Sequence, residues 1–393
     1  MAADKGNEEA IFDYGRYLEV GEYMRVNKKE AAKYYQIAVS KGNDCAMNNY
    51  GLMLLNRYGV PMDKKEGLKL IKMSAEKGNT EGMFNYAVML ENGVNVPINK
   101  KEALRYLKMS ADKGHTGAMH NYGMLLLKGK RTPEIEKEAL KYFKMSADAG
   151  SDISLYQLGS MHLTGDVVEK NIEKAAQYFK LSADKGNILS MNIYATILVS
   201  GDSFYTDNID ESIFKDEYGN ESRLMTIISN KCKNNSKEAA HYYKMAADKD
   251  HEPAIFNYAR MLDEGNGIDV DKKEAARYYK IAADKGLEIA MFNYGIHLMN
   301  GEGVSVDNDE ALRYFTLAIK NGYNEKLPQI NTQMTASQTK EKPEKVEKER
   351  TKLVKKKKKI YTNFVIVGEP INDCKSIFLM VLDHKPYPER YVP

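Results

Sequence analysis

Apolar and small residues recur along this chain in two alternating helical rhythms. In CAMNNYGLMLL (45–55), Ala46, Met47, Tyr50, Gly51 and Leu54 fall at i, i+1, i+4, i+5 and i+8, a stripe that faces one side of a helix. In NKKEALRYLKMSADKG (99–114), the same kind of spacing predicts that Ala103, Leu104, Leu107 and Ala111 are buried while Lys and Glu stay outside. Loops such as GVPMD (59–63) and GVNVP (93–97) punctuate the turn between the two patterns. The pattern therefore predicts pairs of short amphipathic helices.

The pairs repeat. The segment SKG ends at Gly42, AEKG at Gly78, ADKG at Gly114, ADAG at Gly150 and ADKG at Gly186, each step 36 residues, with the first copy at Gly6. A degenerate copy, AADKD ending at Asp250, stands 64 residues after Gly186; Gly286 and Gly322 then resume the 36-residue step. One repeat thus carries 64 − 36 = 28 extra residues. A fixed period of this length marks a solenoid, in which each helix pair completes its core by stacking on its neighbours. Eight units fit: 7–42, 43–78, 79–114, 115–150, 151–186, 187–250, 251–286 and 287–322. One column, Gly15, Gly51, Ala87, Gly123, Gly159, Ala195, Ala259 and Gly295, never holds anything larger than alanine. Glycine inside a helix costs roughly 1 kcal/mol against alanine, so the column predicts a close helix crossing.

The repeated pattern is A-x-x-x-Y-G-x-x-L, then G-x-G-V, then D-x-x-E-A-x-x-Y-x-x-x-A-A-x-x-G. In the last unit Ala290, Tyr294, Gly295, Leu298, Gly301, Gly303, Val304, Ala311, Tyr314, Ala318 and Gly322 carry it. It resembles the Sel-one-like repeat, a relative of the tetratricopeptide repeat, over residues 1 to about 322. Tyr294 and Leu298 reverse the family's usual order of leucine before the glycine and aromatic after it. Unit five places Leu158 in the tyrosine column and His162 in the leucine column, and unit six lacks G-x-G-V. The resemblance implies an all-α, right-handed superhelical solenoid of helical hairpins. It also implies a scaffold for other proteins. Tyr50, Gly51, Tyr86, Tyr122, Gly123, Tyr258, Tyr294 and Gly295 are its structural repeat positions here.

Composition sharpens this picture modestly. Tyrosine is frequent at 27 and methionine at 21, tryptophan is absent and proline scarce at 10, a balance that favours helices. A net charge of +3 does not by itself imply a nucleic-acid partner. Cys45, Cys232 and Cys374 are far apart and odd in number, which supports neither a disulfide framework nor a zinc pair. With no run of about 18 apolar residues and no signal-peptide pattern at the N-terminus, the sequence reads as cytoplasmic. The nucleus is a lesser alternative, and the endoplasmic-reticulum lumen one only if a leader is missing.

No chemistry-bearing motif stands out. G-x-x-x-x-G-K-[ST] does not occur, and the glycines of 264–267 and 300–303 fall between two helices with no strand before them, so they read as turns. The seven histidines form no H-E-x-x-H or H-x-x-x-H pair. Asp263 and Glu264 read as solvated charges at a helix end. The expectation is a non-enzyme with no cofactor, no metal and no small-molecule substrate.

The best candidate for function is the position two before the tyrosine of helix A, the first helix of each pair (helix B being the second), which lines the concave groove in tetratricopeptide-like folds. In this chain it holds Phe12, Asn48, Phe84, His120, Tyr156, Asn192, Phe256 and Phe292. Rings in a groove are anchors for a partner peptide or helix; alternatively these rings pack against the next repeat's first helix. The adjacent column, Asn49, Asn85, Asn121, Asn257 and Asn293, reads as an inter-repeat contact in preference to a ladder for a bound backbone.

Outside the repeats, the insertion within 200–235 reads as a long loop with one short helix and holds two sequons, at Asn220 and Asn234. Residues 340–359 hold eleven bases against four acids, ending in Lys355, Lys356, Lys357, Lys358 and Lys359. They read first as a solubilising linker and second as an import signal or a contact to RNA or acidic membrane. Residues 360–393 contain two apolar runs split by GEPIND, a candidate β-hairpin. At the other end, Ala2, Asp4, Lys5 and Gly6 read as the last turn of a second helix whose first helix is absent, so unit one is expected to be truncated upstream or covered by a partner. The leading functional expectation is a protein-binding adaptor. The alternatives are a quality-control component of the endoplasmic reticulum and the repeat arm of a larger signalling enzyme.

Overall fold

The computed structural model describes residues 7–199 and 235–323. The expected opening turn at 2–6, the insertion with its sequons at Asn220 and Asn234, Cys232, Cys374, the Lys355–Lys359 patch and the candidate hairpin of 360–393 lie outside the described residues.

Sixteen α-helices and no strand occur among the described residues. In the first four repeats they are α1 (Glu8–Val20), α2 (Lys28–Ser40), α3 (Asp44–Asn56), α4 (Lys64–Glu76), α5 (Thr80–Asn92), α6 (Lys100–Asp112), α7 (Thr116–Leu127) and α8 (Pro133–Asp148). The remaining repeats hold α9 (Asp152–Thr164), α10 (Ile172–Asp184), α11 (Ile188–Val199), α12 (Ser236–Asp248), α13 (Glu252–Glu264), α14 (Lys272–Asp284), α15 (Glu288–Asn300) and α16 (Asn308–Asn321). From α1 to α8 and from α10 to α16, consecutive helices pack against each other, within the hairpin and across to the next one, the arrangement of an all-α solenoid. Two compact units are distinguished, one ending at Ser154 and one beginning at Leu155.

Local sequence sets the helix starts. Asn27, Asp63, Asn99, Asp271 and Asp307 each precede a second helix and accept a hydrogen bond from the backbone N–H of the glutamate three residues on. Asn7, Asn43 and Asn79 cap first helices by accepting from the backbone N–H of Ala10, Ala46 and Gly82, and at α7 the cap is a histidine, whose Nδ1 accepts from Ala118 N at 2.9 Å. These caps satisfy amide groups that a helix's first turn leaves without partners.

The small-residue column marks the crossing inside each hairpin, as the sequence predicts. A Cβ on Gly295 would lie 2.7 Å from the Phe315 ring, and one on Gly123 would lie 2.8 Å from the Phe143 ring. The second helix therefore lays an aromatic ring on the bare backbone of the first. Serine fastens the same hairpin from inside: buried Ser74, Ser110 and Ser146 donate to the backbone carbonyls of Asp44, Thr80 and Thr116. Ala103, Leu107 and Ala111 are buried as expected. Leu104 is only half-buried; Tyr106 and Ser110 complete that face instead.

The G-x-G turn has a separate explanation for each glycine. Gly301 closes α15 in the left-handed region at φ 72°, where it serves as the helix C-cap. Gly303, also at φ 72°, presses on the preceding repeat: a Cβ there would lie 2.1 Å from the carbonyl oxygen of Lys272 at the start of α14. Gly59 and Gly267 press likewise on Lys28 and Ser236. The motif thus encodes a helix stop and an inter-repeat contact.

Candidate functional site

The helix-A column reads differently residue by residue. In the first unit Phe12 is half-buried, its ring centroid 5.7 Å from that of Tyr35. Asn48 is buried; its Nδ2 donates to Asn49 Oδ1 at 3.1 Å and its Oδ1 accepts from Asn85 Nδ2 at 2.8 Å. Phe84 is half-buried and stacks on His115 at 4.5 Å. His120 is 8% exposed and meets the Phe143 ring edge-on at 5.5 Å. In the second unit Tyr156 and Phe256 are buried against Phe179 and Tyr279, at 5.7 and 5.8 Å. Asn192 accepts from Asn257 Nδ2 at 3.3 Å. Phe292 is half-buried between Phe315 at 5.4 Å and Tyr323 at 4.5 Å.

Most of these rings therefore rest on the aromatic residue of their own hairpin's second helix, at Tyr35, Phe143, Phe179, Tyr279 and Phe315. The next repeat's first helix, which the sequence offered as the packing partner, is not the main one. Asn85 and Asn257 do tie successive repeats together through their amides. Phe12, Phe84 and Phe292 are the column's rings that keep part of their surface open.

The structural tyrosines form a second ladder. Tyr86, Tyr122, Tyr258 and Tyr294 each meet a helix-B tyrosine edge-on, Tyr106, Tyr142, Tyr278 and Tyr314, at 4.7 to 5.2 Å. Tyr50 is half-buried at the same position, next to the fully packed Gly51. Lys108 reaches from repeat three to repeat four, its ammonium 5.2 Å from the Tyr122 ring and 2.5 Å from Glu138 Oε1. Lys180, Tyr194, Tyr242 and Glu238 repeat the arrangement in the second unit. Burial and the neighbouring Asp112 carboxylate push the Tyr142 phenol up to about 12, so it stays a neutral donor to Asp112 at physiological pH.

Polar clusters that spacing alone did not reveal are buried between repeats. Ser146 Oγ donates to Thr116 O at 3.0 Å, Ser154 Oγ donates to Ser146 Oγ at 2.8 Å, and His120 Nδ1 lies 2.9 Å from Ser154 Oγ. Because each serine's only hydroxyl proton is already directed onward, His120 supplies the proton of the last link, which assigns it the Nδ1–H tautomer. Burial, and then the Lys128 charge, push this imidazole down to about 4. Glu91 and Lys128 form a well-shielded ion pair at 3.0 Å, with side-chain exposures of 8% and 19%.

In the second unit Asp263, His297 and Glu302 bring ligand-type atoms within 4.8 Å of one another. The two carboxylates share Lys272, whose Nζ lies 2.7 Å from Asp263 Oδ1 and 3.2 Å from Glu302 Oε2. Asp263 is thus not the solvated acid its sequence context implied. No signal for this cluster existed in a single motif, because its members come from three helices and one turn; aligning the repeats does show His297 as the one histidine in a column of otherwise apolar residues and Tyr17.

No helix among the described residues is long and apolar enough to cross a membrane. No curated protein matches the sequence significantly. Among solved structures, c5321, a protective antigen of uropathogenic Escherichia coli strains displaying an SLR fold, is 20% identical with a TM-score of 0.46, over 94% of this chain and 89% of that one. A Sel1 repeat protein from Oxalobacter formigenes is 24% identical with a TM-score of 0.47, over 50% of this chain and 80% of that one. The immunity protein Pa5087 from Pseudomonas aeruginosa is 18% identical with a TM-score of 0.37, over 63% and 83%. The Sel1 repeat model matches eight times, at residues 8–43, 46–79, 80–115, 116–151, 153–187, 230–251, 253–287 and 289–323. With these matches over more than half of its length and a helix pair in every repeat, the chain belongs to the Sel1 repeat family.

Proposed function

We propose that this protein is a non-enzymatic scaffold that binds other proteins along the first helices of its hairpins. The observation that carries the reading is the ring column: Phe12, Phe84 and Phe292 keep part of their surface open while the hairpin's second helix holds Phe12 and Phe292 from behind. A ring already held by its neighbours costs little further entropy when a partner covers the surface it leaves open. Its neighbours in the column, Asn48 and Asn192, accept amide hydrogen bonds from the next repeat and so set the spacing at which the rings are offered.

The test is affinity capture with the full chain carrying Phe12→Ser, Phe84→Ser and Phe292→Ser together. Phe256 is left intact, because it is buried on Tyr279 and its loss would disturb the fold. Loss of specifically captured proteins, with the circular-dichroism melt retained, is the expected result. The same captured set at the same recovery overturns the reading.

A further inference from the structure

The position of His297 in its repeat is a core position in the six repeats before it, and in repeat one it holds the half-buried Tyr17. In repeats two to seven it holds Met53, Met89, Leu125, Met161, Ile197 and Met261, all buried. Repeat eight places an ionisable ring there, 2% exposed. A buried ionisable group where packing alone would select methionine or leucine needs a reason.

The geometry supplies one. His297 Nδ1 lies 2.8 Å from the backbone carbonyl oxygen of Glu302, and Nε2 lies 3.2 Å from Asp263 Oδ1. Both partners only accept hydrogen bonds, and a neutral imidazole carries a single N–H, so only the doubly protonated ring satisfies both. Charge balance agrees. Asp263 on α13, Glu302 in the turn and Lys272 on α14 sum to one negative charge, which an imidazolium cancels. The other groups facing this site leave that balance unchanged. Tyr279 on α14 has its hydroxyl 3.5 Å from Asp263 Oδ2, Asn300 donates to Glu302 at 3.1 Å, and Arg260 and Glu264 on α13 pair with each other at 3.6 Å.

We infer that His297 is a proton-operated latch, whose imidazolium ties α15 and its following turn in repeat eight to α13 in repeat seven and whose deprotonation releases that tie. Burial opposes the charge, but the Asp263 carboxylate and the Glu302 carbonyl outweigh it and hold the imidazole above its ordinary value. A folded-state value raised above the unfolded one means the latch contributes fully below about 6.5, the ordinary histidine value, and is lost as pH rises through the higher folded value. Repeat eight also carries Phe292, so the latch regulates order at one of the proposed partner-binding rings. The latch itself does not depend on that reading.

Two measurements on the full chain test it. The first is an NMR titration of the His297 ring, assigned by comparison with His297→Met; a midpoint above about 6.5 is expected, and one at or below it overturns the latch. The second is hydrogen exchange of residues 288–321, corrected for intrinsic rates, at about pH 5.5 and about pH 8.5, values that bracket histidine titration. Protection in the unaltered chain should fall several-fold at the higher pH relative to α12, and His297→Met, which restores the residue type of the column, should abolish that difference. Equal protection at both pH values in the unaltered chain overturns the proposal even if the variant fails to fold. Neither readout uses a partner, so failure of the scaffold reading would leave both intact.

Discussion

His120 donates its Nδ1 proton to the Ser154 hydroxyl across 2.9 Å, the last link of a buried chain that ends on the Thr116 carbonyl. Burial keeps the ring neutral and the direction of that bond fixes its tautomer, and two opposite pH dependences then follow for two histidines of one chain.

For His120 the folded value lies near 4, below the ordinary value of about 6.5. The unfolded chain therefore binds the extra proton first, and stability falls as pH drops from about 6.5 towards about 4. Urea midpoints measured at several pH values in that window should show the decline in the unaltered chain. In His120→Phe the decline should be shallower, although carboxylates shared by both proteins begin to titrate in the window's lower half. Parallel curves would show that His120 is not held neutral.

Gly303→Ala should destabilise repeat eight by about 3 kcal/mol or more, since a left-handed conformation for alanine and a steric overlap combine. Gly286 also has a positive φ, 104°, but nothing lies within 4 Å of a Cβ there. Gly286→Ala should therefore cost only about 1 kcal/mol, from the backbone conformation. Thermal melts of the two variants rank them, and equal shifts would disprove the inter-repeat role of the second glycine.

Phe143 is fully buried over Gly123, whereas Phe84 in the ring column is half-buried. Phe143→Ala should cost about 3 to 5 kcal/mol and Phe84→Ala markedly less. Denaturant unfolding separates them; the opposite order would place the hairpin's core on the wrong face.

Lys108→Met removes a cation that spans repeats three and four through Glu138 and the Tyr122 ring. Both charged side chains are more than a third exposed, at 45% and 35%, so the expected loss is below about 1 kcal/mol and shrinks with added salt. A loss of several kcal/mol that salt leaves unchanged would contradict a solvent-screened contact.

The repeat made much of this molecule legible in advance. Gly295 and Gly123 announced a close crossing, and Phe315 and Phe143 fill it. The capping residues Asn99 and Asp307 stand where the helical pattern begins, and they cap as their chemistry requires. The ring column was legible as a column. Which of its members stay open was not, because the exposure of Phe84 and the burial of Phe256 depend on neighbours from other helices.

The sequence by itself determined the helix pair, its period and the stacking of eight copies, because amphipathic spacing, caps and turn glycines act within one repeat and need no distant partner. Tertiary structure alone decided the proton on His120 and the company of His297. Hydrogen-bond direction and charge balance depend on atoms within a few ångströms, and here those atoms are contributed by residues about 34 positions away, Ser154 for His120 and Asp263 for His297.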